Sequence, residues 1–269
     1  MPKEKDKKYC DPSKITIRPI AKSIAKDMVV KYHYTHAWTS CRYAIGVFHE
    51  TEKESAFIDG DELIGVMIYG FPVGAKAATS VCEGMSKDNI LELTRLFIHD
   101  GYGSNIESYT LGQSFKWFRE NDPKVKLLIS YADAAEQHLG KIYQATNWLY
   151  QGTSDSIALM PNYGISLQKD PYKWIHSRTV NSIYKSNNLD HLKREIGKQG
   201  YTVFWRRRES PKHRYIQILA ENKREKGDLI SRLKHPLKPY PKDPNEYISF
   251  DIETHYTYIP NEGNEKVFW

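Results

Sequence analysis

The stretch from Leu91 to Gly152 constrains the fold more than any other part of the chain. Leu91–His99 is an apolar run with the length of a buried strand. It breaks at Asp100-Gly101-Tyr102-Gly103, and Ser104-Asn105-Ile106-Glu107 then has the Ser-x-x-Glu spacing of a capping box. Leu111, Phe115 and Phe118 give the helix that starts at Ser104 a buried stripe, and Asn121-Asp122-Pro123 stops it. A second apolar strand, Val125–Tyr131, leads into Ala132-Asp133, and Glu136–Thr146 reads as the next helix. The order is strand, glycine turn, helix, strand, helix, strand. Such alternation calls for a sheet covered by helices, an α/β (α+β) domain.

The flanking sequence extends that sheet. Ile15–Arg18 alternates like a short strand, and Ile20, Ile24 and Met28 place an amphipathic helix over residues 20–32. Cys41–His49 and Leu63–Phe71 read as antiparallel strands joined by an acidic turn. After Gly152 the pattern loosens. Val180–Tyr184 and Leu189–Ile196 look helical, and Tyr201–Arg206 with His213–Leu219 reads as a hairpin. The expected organisation is a basic arm (1–14), one catalytic domain (15–220) and a C-terminal tail (221–269). Within the domain lie a core (15–152), a helical and aromatic insertion (153–200) and the hairpin (201–219).

At 269 residues the chain can bury a full core. Its net charge of +6 is concentrated at the N-terminus and beyond residue 190, which suits an anionic partner such as nucleic acid. Three cysteines without CxxC spacing give no zinc pattern and fit a reducing, cytoplasmic setting. No apolar run reaches membrane-spanning length.

Several residues carry chemistry. Gly101 and Gly103 let backbone N–H groups of the turn, with Ser104 and Asn105, approach an anionic cofactor at a helix N-terminus; a plain tight turn is the alternative. Asp133 closes a central strand, where catalytic groups often stand, or it caps the next helix. A carboxylate there can accept an amine proton or help hold a metal. His33 and Tyr34 follow the first helix in a polar, aromatic stretch without a clean period, which reads as a functional loop or a broken helix. Arg95 stands between apolar neighbours and must reach a carboxylate, a ligand or water. Ser108 faces either a cleft or its own helix backbone. Arg206, Arg207, Arg208, Lys212, His213 and Arg214, flanked by aromatics, form the densest basic patch and read as a phosphate-binding strip or a solvated turn.

The wording LTRL…NIES…SYAD…IYQATNW, with His33-Tyr34 upstream and the PKHRY and LKPYPK segments downstream, resembles the phage Mom family of DNA-adenine modification proteins. The strand–glycine turn–helix order itself resembles the GNAT acyltransferase fold, a central mixed, mostly antiparallel sheet flanked by helices, here with a C-terminal extension. The Mom resemblance implies transfer of a carbamoylmethyl group to N6 of adenine in double-stranded DNA, which makes the DNA resist restriction enzymes. It implies a phage- or prophage-encoded protein working in the host cytoplasm. It implies activity and an iron cofactor at His33 and Tyr34, with Asp133 of the SYAD motif completing the ligand set and His36 as an alternative ligand, and it places Ser108 in a family motif; the GNAT likeness adds Tyr143 as a general acid, a packed core ring being the alternative. The GNAT pyrophosphate wording is degraded, with Asp100 where a basic residue stands. The acyl donor is therefore open between acetyl-CoA and glycyl-tRNA. Because plain acyl transfer gives N6–CO–CH2 rather than N6–CH2–CO–NH2, a metal-assisted rearrangement is the expected route. An adenine must leave the duplex to react, and Trp38, Tyr34 or Trp148 could sandwich it.

Two other functions stay open. One is a GNAT-type N-acyltransferase acting on another amine with acyl-CoA or aminoacyl-tRNA. The other is a non-catalytic nucleic-acid-binding module. The oligomeric state is open, with a homodimer as one option.

Overall fold

The computed structural model describes residues 10–50, 60–72, 79–103, 105–158, 162–167, 173–243 and 252–258. Most of the expected basic arm lies outside them, as does Ser104.

The alternating apolar runs of the N-terminal half become four successive antiparallel strands. These are β1 (Ile15–Pro19), β2 (Tyr43–Glu50), β3 (Asp61–Gly70) and β4 (Ile90–Ile98). β5 (Leu127–Asp133) joins β4 in parallel. With β6 (Leu149–Thr153) and β9 (Lys212–Ile218) they form a seven-stranded sheet in the order β1-β2-β3-β4-β5-β9-β6. This is the mixed, mostly antiparallel sheet expected from the sequence.

The period of two along β3 sends Val66 and Ile68 to one face and Met67 and Tyr69 to the other. Helix α1 (Lys22–Tyr32) buries Ala25 and Val29 in the cluster that holds Val66 and Ile68. Helix α2 (Ile106–Asn121) buries Ile106, Leu111, Phe115 and Phe118 in the cluster that holds Met67, Tyr69, Leu128 and Trp148. A helix absent from the sequence reading, α7 (Lys223–Ser231), adds Leu229 to a third cluster with Ile129, Ile216 and Ile218.

Contacts divide the chain into two compact units: residues 1–132, 140–152 and 214–240, and residues 133–139, 153–213 and 241–269. Asp133 and Lys212, at the ends of β5 and β9, are counted with the second. That unit has its own antiparallel sheet, in the order β10-β8-β7, made of β7 (Tyr163–Ser166), β8 (Val203–Arg208) and β10 (Ile252–Tyr256). Helices α5 (Ser177–Tyr184) and α6 (Leu189–Lys198) bury Val180, Tyr184, Leu192 and Ile196 against Ile165 and Phe204.

Two local expectations are corrected. Residues 201–206 and 213–219 do not form a hairpin: β8 pairs with β7 and β10, whereas β9 belongs to the large sheet. The helix expected over 136–146 is broken. A 3-10 turn at Ala134–Glu136 is followed by α3, only Lys141–Ala145. The break is forced at Gly140, whose left-handed backbone (φ +67) abuts Tyr215; a Cβ there would lie 2.5 Å from the ring.

Candidate functional site

In the first unit the site grows from a defect in the sheet. The parallel pairing of β4 with β5 covers only Ile90–Glu92 against Leu127–Ile129. At the next pair the Leu93 carbonyl is bonded by the Ser130 hydroxyl (2.9 Å), a side chain standing in for a ladder bond. On the other edge of β4 the register with β3 shifts between Ile68 and Tyr69, so that Thr94 is the extra residue. Its hydroxyl donates to the Ile68 carbonyl (3.1 Å). A bulge of this kind re-aims the side chains beside it and is frequent near active sites.

Arg95 follows the bulge. Its guanidinium donates twice to the Ala37 carbonyl, both at 3.2 Å, and once to Thr94 (2.6 Å). It also interacts with Tyr34 and Glu92. His33 caps the C-terminus of α1 in extended backbone and is buried. Its Nδ1 accepts from the Thr35 N–H (3.2 Å) and bonds the Thr35 hydroxyl (2.9 Å). An acceptor at Nδ1 fixes the neutral ring with its proton on Nε2. Burial, then the Arg95 charge and His36, hold its pKa down at about 4. The Tyr34 ring lies 4.4 Å from the imidazole and is largely exposed.

Tyr143 completes the group from α3. Its hydroxyl is 2.8 Å from Ser130 Oγ, and its ring is wedged between Trp148 and Tyr215, each 5.1 Å away. Burial pushes its pKa up to about 12, and Tyr34 and Glu92 add to the shift. The sheet defect thus gathers His33, Tyr34, Arg95 and Tyr143. Ser130 and Glu92, which the sequence reading did not single out, belong with them. Ser130 had one signal: a hydroxyl in the buried run Leu127–Tyr131.

Downstream of β4, Gly101 and Gly103 both have positive φ (+105 and +100), a geometry that favours glycine. The turn is tied to β3 by Tyr102, which donates to Glu62 (2.8 Å). Asn105 is the N-cap of α2 but makes no side-chain capping bond, and Glu107 stands in the first turn. Ser108 takes the local reading, donating to the Asn105 carbonyl (2.9 Å).

The second unit holds a separate cleft of about 280 Å³, lined by Asp133, Lys212, Arg207, Arg208, Trp174 and Glu209 among others. Lys212 and Asp133 form an ion pair. Arg207 stacks on the Trp174 ring at 4.4 Å. Glu209 accepts from the backbone and hydroxyl of Ser177 (2.6 and 2.7 Å) and lies 3.4 Å from His176. The expected basic patch is therefore divided. Arg206 is stacked over Tyr163, 3.6 Å from the ring centroid, and is not among the residues lining the cleft. His213 and Arg214 are buried, which removes them from a phosphate-binding surface. Trp148 is fully buried and offers no face to a base, whereas Trp38 is only partly buried against the α1 cluster.

His33, Tyr34 and Asp133 as arranged do not fit a metal centre. Asp133 is bound to Lys212 and counted with the second unit, and the Nε2 of His33 carries a proton. Among the described residues no three His, Cys, Asp or Glu side chains are placed to hold an ion.

A mixed sheet whose central parallel pair parts beside a bulge, followed by a glycine turn onto a helix, defines a GNAT-like α/β architecture. Among solved structures the chain is similar to a putative phosphinothricin N-acetyltransferase. The TM-score is 0.40 and the identity 11%, with 77% of this chain and 99% of that chain covered. It is also similar to the spermidine/spermine N-acetyltransferase SpeG from Vibrio cholerae, with a TM-score of 0.41 and 7% identity over 77% and 94% of the two chains. The Mom protein family profile matches residues 14–242, and the chain belongs to that family. A curated relative, the methylcarbamoylase mom of Escherichia phage Mu, is 25% identical over 229 residues, 85% of this chain and 84% of the relative.

Proposed function

We propose that this Mom-family chain is a phage-type DNA modification transferase, placing a carbamoylmethyl group on N6 of adenine in double-stranded DNA and so shielding it from restriction. The family match across residues 14–242 carries the reading. The side chains gathered at the parted strands support it.

Adenine N6 is a weak nucleophile because its lone pair is delocalised into the ring. It needs a base to take its proton and an electrophile held in place. Within the second unit Asp133 offers a carboxylate that can take such a proton, with Lys212 beside it to balance the charge that moves. Within the first unit Tyr143 keeps its proton at neutral pH, since burial holds its pKa near 12. It can therefore donate to the glycyl carbonyl oxygen as N6 attacks; the ester C–O bond breaks with release of the tRNA hydroxyl, giving N6–CO–CH2–NH2, and a later exchange of its carbon and nitrogen ends gives the isomeric N6–CH2–CO–NH2. Arg95 adds a fixed cation, and the His33 Nε2–H a second neutral donor.

The glycine turn and the start of α2 hold the donor's phosphate end. Asp100 and Glu107 bring negative charge to that turn, which weakens its hold on a pyrophosphate; the nitrogen of the carbamoylmethyl group, which glycine carries and acetyl-CoA lacks, favours glycyl-tRNA. Supplying each donor to purified protein and duplex DNA, and assaying modified nucleoside, separates the two. Acetylated adenine formed with acetyl-CoA would reverse the assignment of both donor and product.

A further inference from the structure

We infer that the cleft around Asp133 in the second unit is a pocket for a single unstacked nucleotide of DNA, with Trp174 as its stacking platform. The inference rests on the DNA-modification reading and names how that substrate is held. Three observations carry it.

The first is size. About 280 Å³ lies just below the usual range for small-ligand clefts, roughly 300–1,000 Å³, and suits one base rather than two. The second is the pairing of an aromatic with cations. Trp174 lies in the cleft with the Arg207 guanidinium 4.4 Å from its ring. An arginine stacked on an indole extends a flat, positively charged surface, the combination that receives a base and its phosphate. Arg208 lines the same cleft.

The third is the polar pair. Asp133 is an acceptor and Lys212 a donor, side by side. The amino edge of adenine presents an N–H donor at N6 next to a ring-nitrogen acceptor, the complement of that pair. Thymine offers the same combination through N3–H and O4, so the pair grips a base edge without choosing among bases. Glu209 fixes the cleft wall by holding the start of α5 through Ser177. Trp174 takes the role that burial denies Trp148.

The test is equilibrium binding of the full chain to two labelled duplexes, one fully paired and one with a single adenine facing an abasic site. The wild type binds the second roughly tenfold more tightly, because the cost of unstacking is already met. Trp174→Ala abolishes that preference and Trp174→Phe keeps most of it. Arg207→Gln weakens both duplexes. Replacing the unpaired adenine by a second abasic site removes the preference in the wild type. Equal affinity for both duplexes, or a preference untouched by Trp174→Ala, overturns the inference. Circular dichroism of Trp174→Phe and Trp174→Ala keeps misfolding apart from lost stacking. Nucleoside mass spectrometry reads the modification reaction separately: preference without modified adenine would retain the pocket and reject the function.

Discussion

Acidification should weaken the first unit through His33, by an amount the structure allows to be worked out. The imidazole has an ordinary pKa of 6.5 when unfolded, and burial beside Arg95 lowers it to about 4. A depressed folded pKa means that the unfolded chain binds the proton first. His33 therefore costs nothing above pH 6.5, and stability falls as the pH drops from there towards 4. At pH 5 the unfolded ring is almost fully protonated and the folded ring almost neutral, a loss of about 2 kcal/mol, rising to about 3 kcal/mol below pH 4. Burial also lowers the pKa of His213, His235 and His255, so acid weakens the protein through them as well. The comparison with His33→Asn isolates one ring, since asparagine can keep an acceptor facing the Thr35 N–H. Urea unfolding at pH 7 and pH 5 should give a wild-type loss about 2 kcal/mol larger than the variant's. The His33 ring proton should titrate below pH 5 by NMR. Equal losses in the two proteins, or titration near 6.5, would refute the buried neutral histidine.

Three more outcomes are expected. Tyr143→Phe keeps the ring contacts with Trp148 and Tyr215, loses the Ser130 bond at about 1 kcal/mol in thermal melts, and lowers adenine modification at least roughly a hundredfold. Gly103→Ala forces a side chain into positive φ, costing about 1–2 kcal/mol of stability and raising the donor concentration needed for half-maximal rate. Arg207→Gln or Arg208→Gln lowers the slope of log affinity for DNA against log salt by about 0.9, whereas Arg206→Gln, over Tyr163, leaves that slope unchanged.

The large sheet was legible because its strands are buried runs of ordinary length. β3 and β5 are apolar nearly throughout, and the glycines of the turn announce the crossover to α2. The second unit was not. β7 has four residues, and β10 (Ile-Glu-Thr-His-Tyr) is mostly exposed, so neither carries a strand period. Neighbouring strands usually pair, which made β8 and β9 look like a hairpin; their partners come instead from chain segments far away in sequence. α7 escaped notice because one buried residue, Leu229, anchors a helix of charged side chains. At the site, the sequence supplied His33, Tyr34, Arg95 and Tyr143. It could not supply Ser130 or Trp174, whose roles come from a parted ladder and from a cleft lined by distant segments. The six-residue basic cluster is divided because β9 is an interior strand of the large sheet with both faces covered, so the adjacent His213 and Arg214 are both buried.

Nucleoside mass spectrometry of DNA from cells expressing the wild type or Asp133→Ala tests the central claim most directly. The account predicts an adenine heavier by one carbamoylmethyl group in the first sample and its absence in the second, with both proteins folded. Unmodified adenine in both, or full modification by Asp133→Ala, would contradict it.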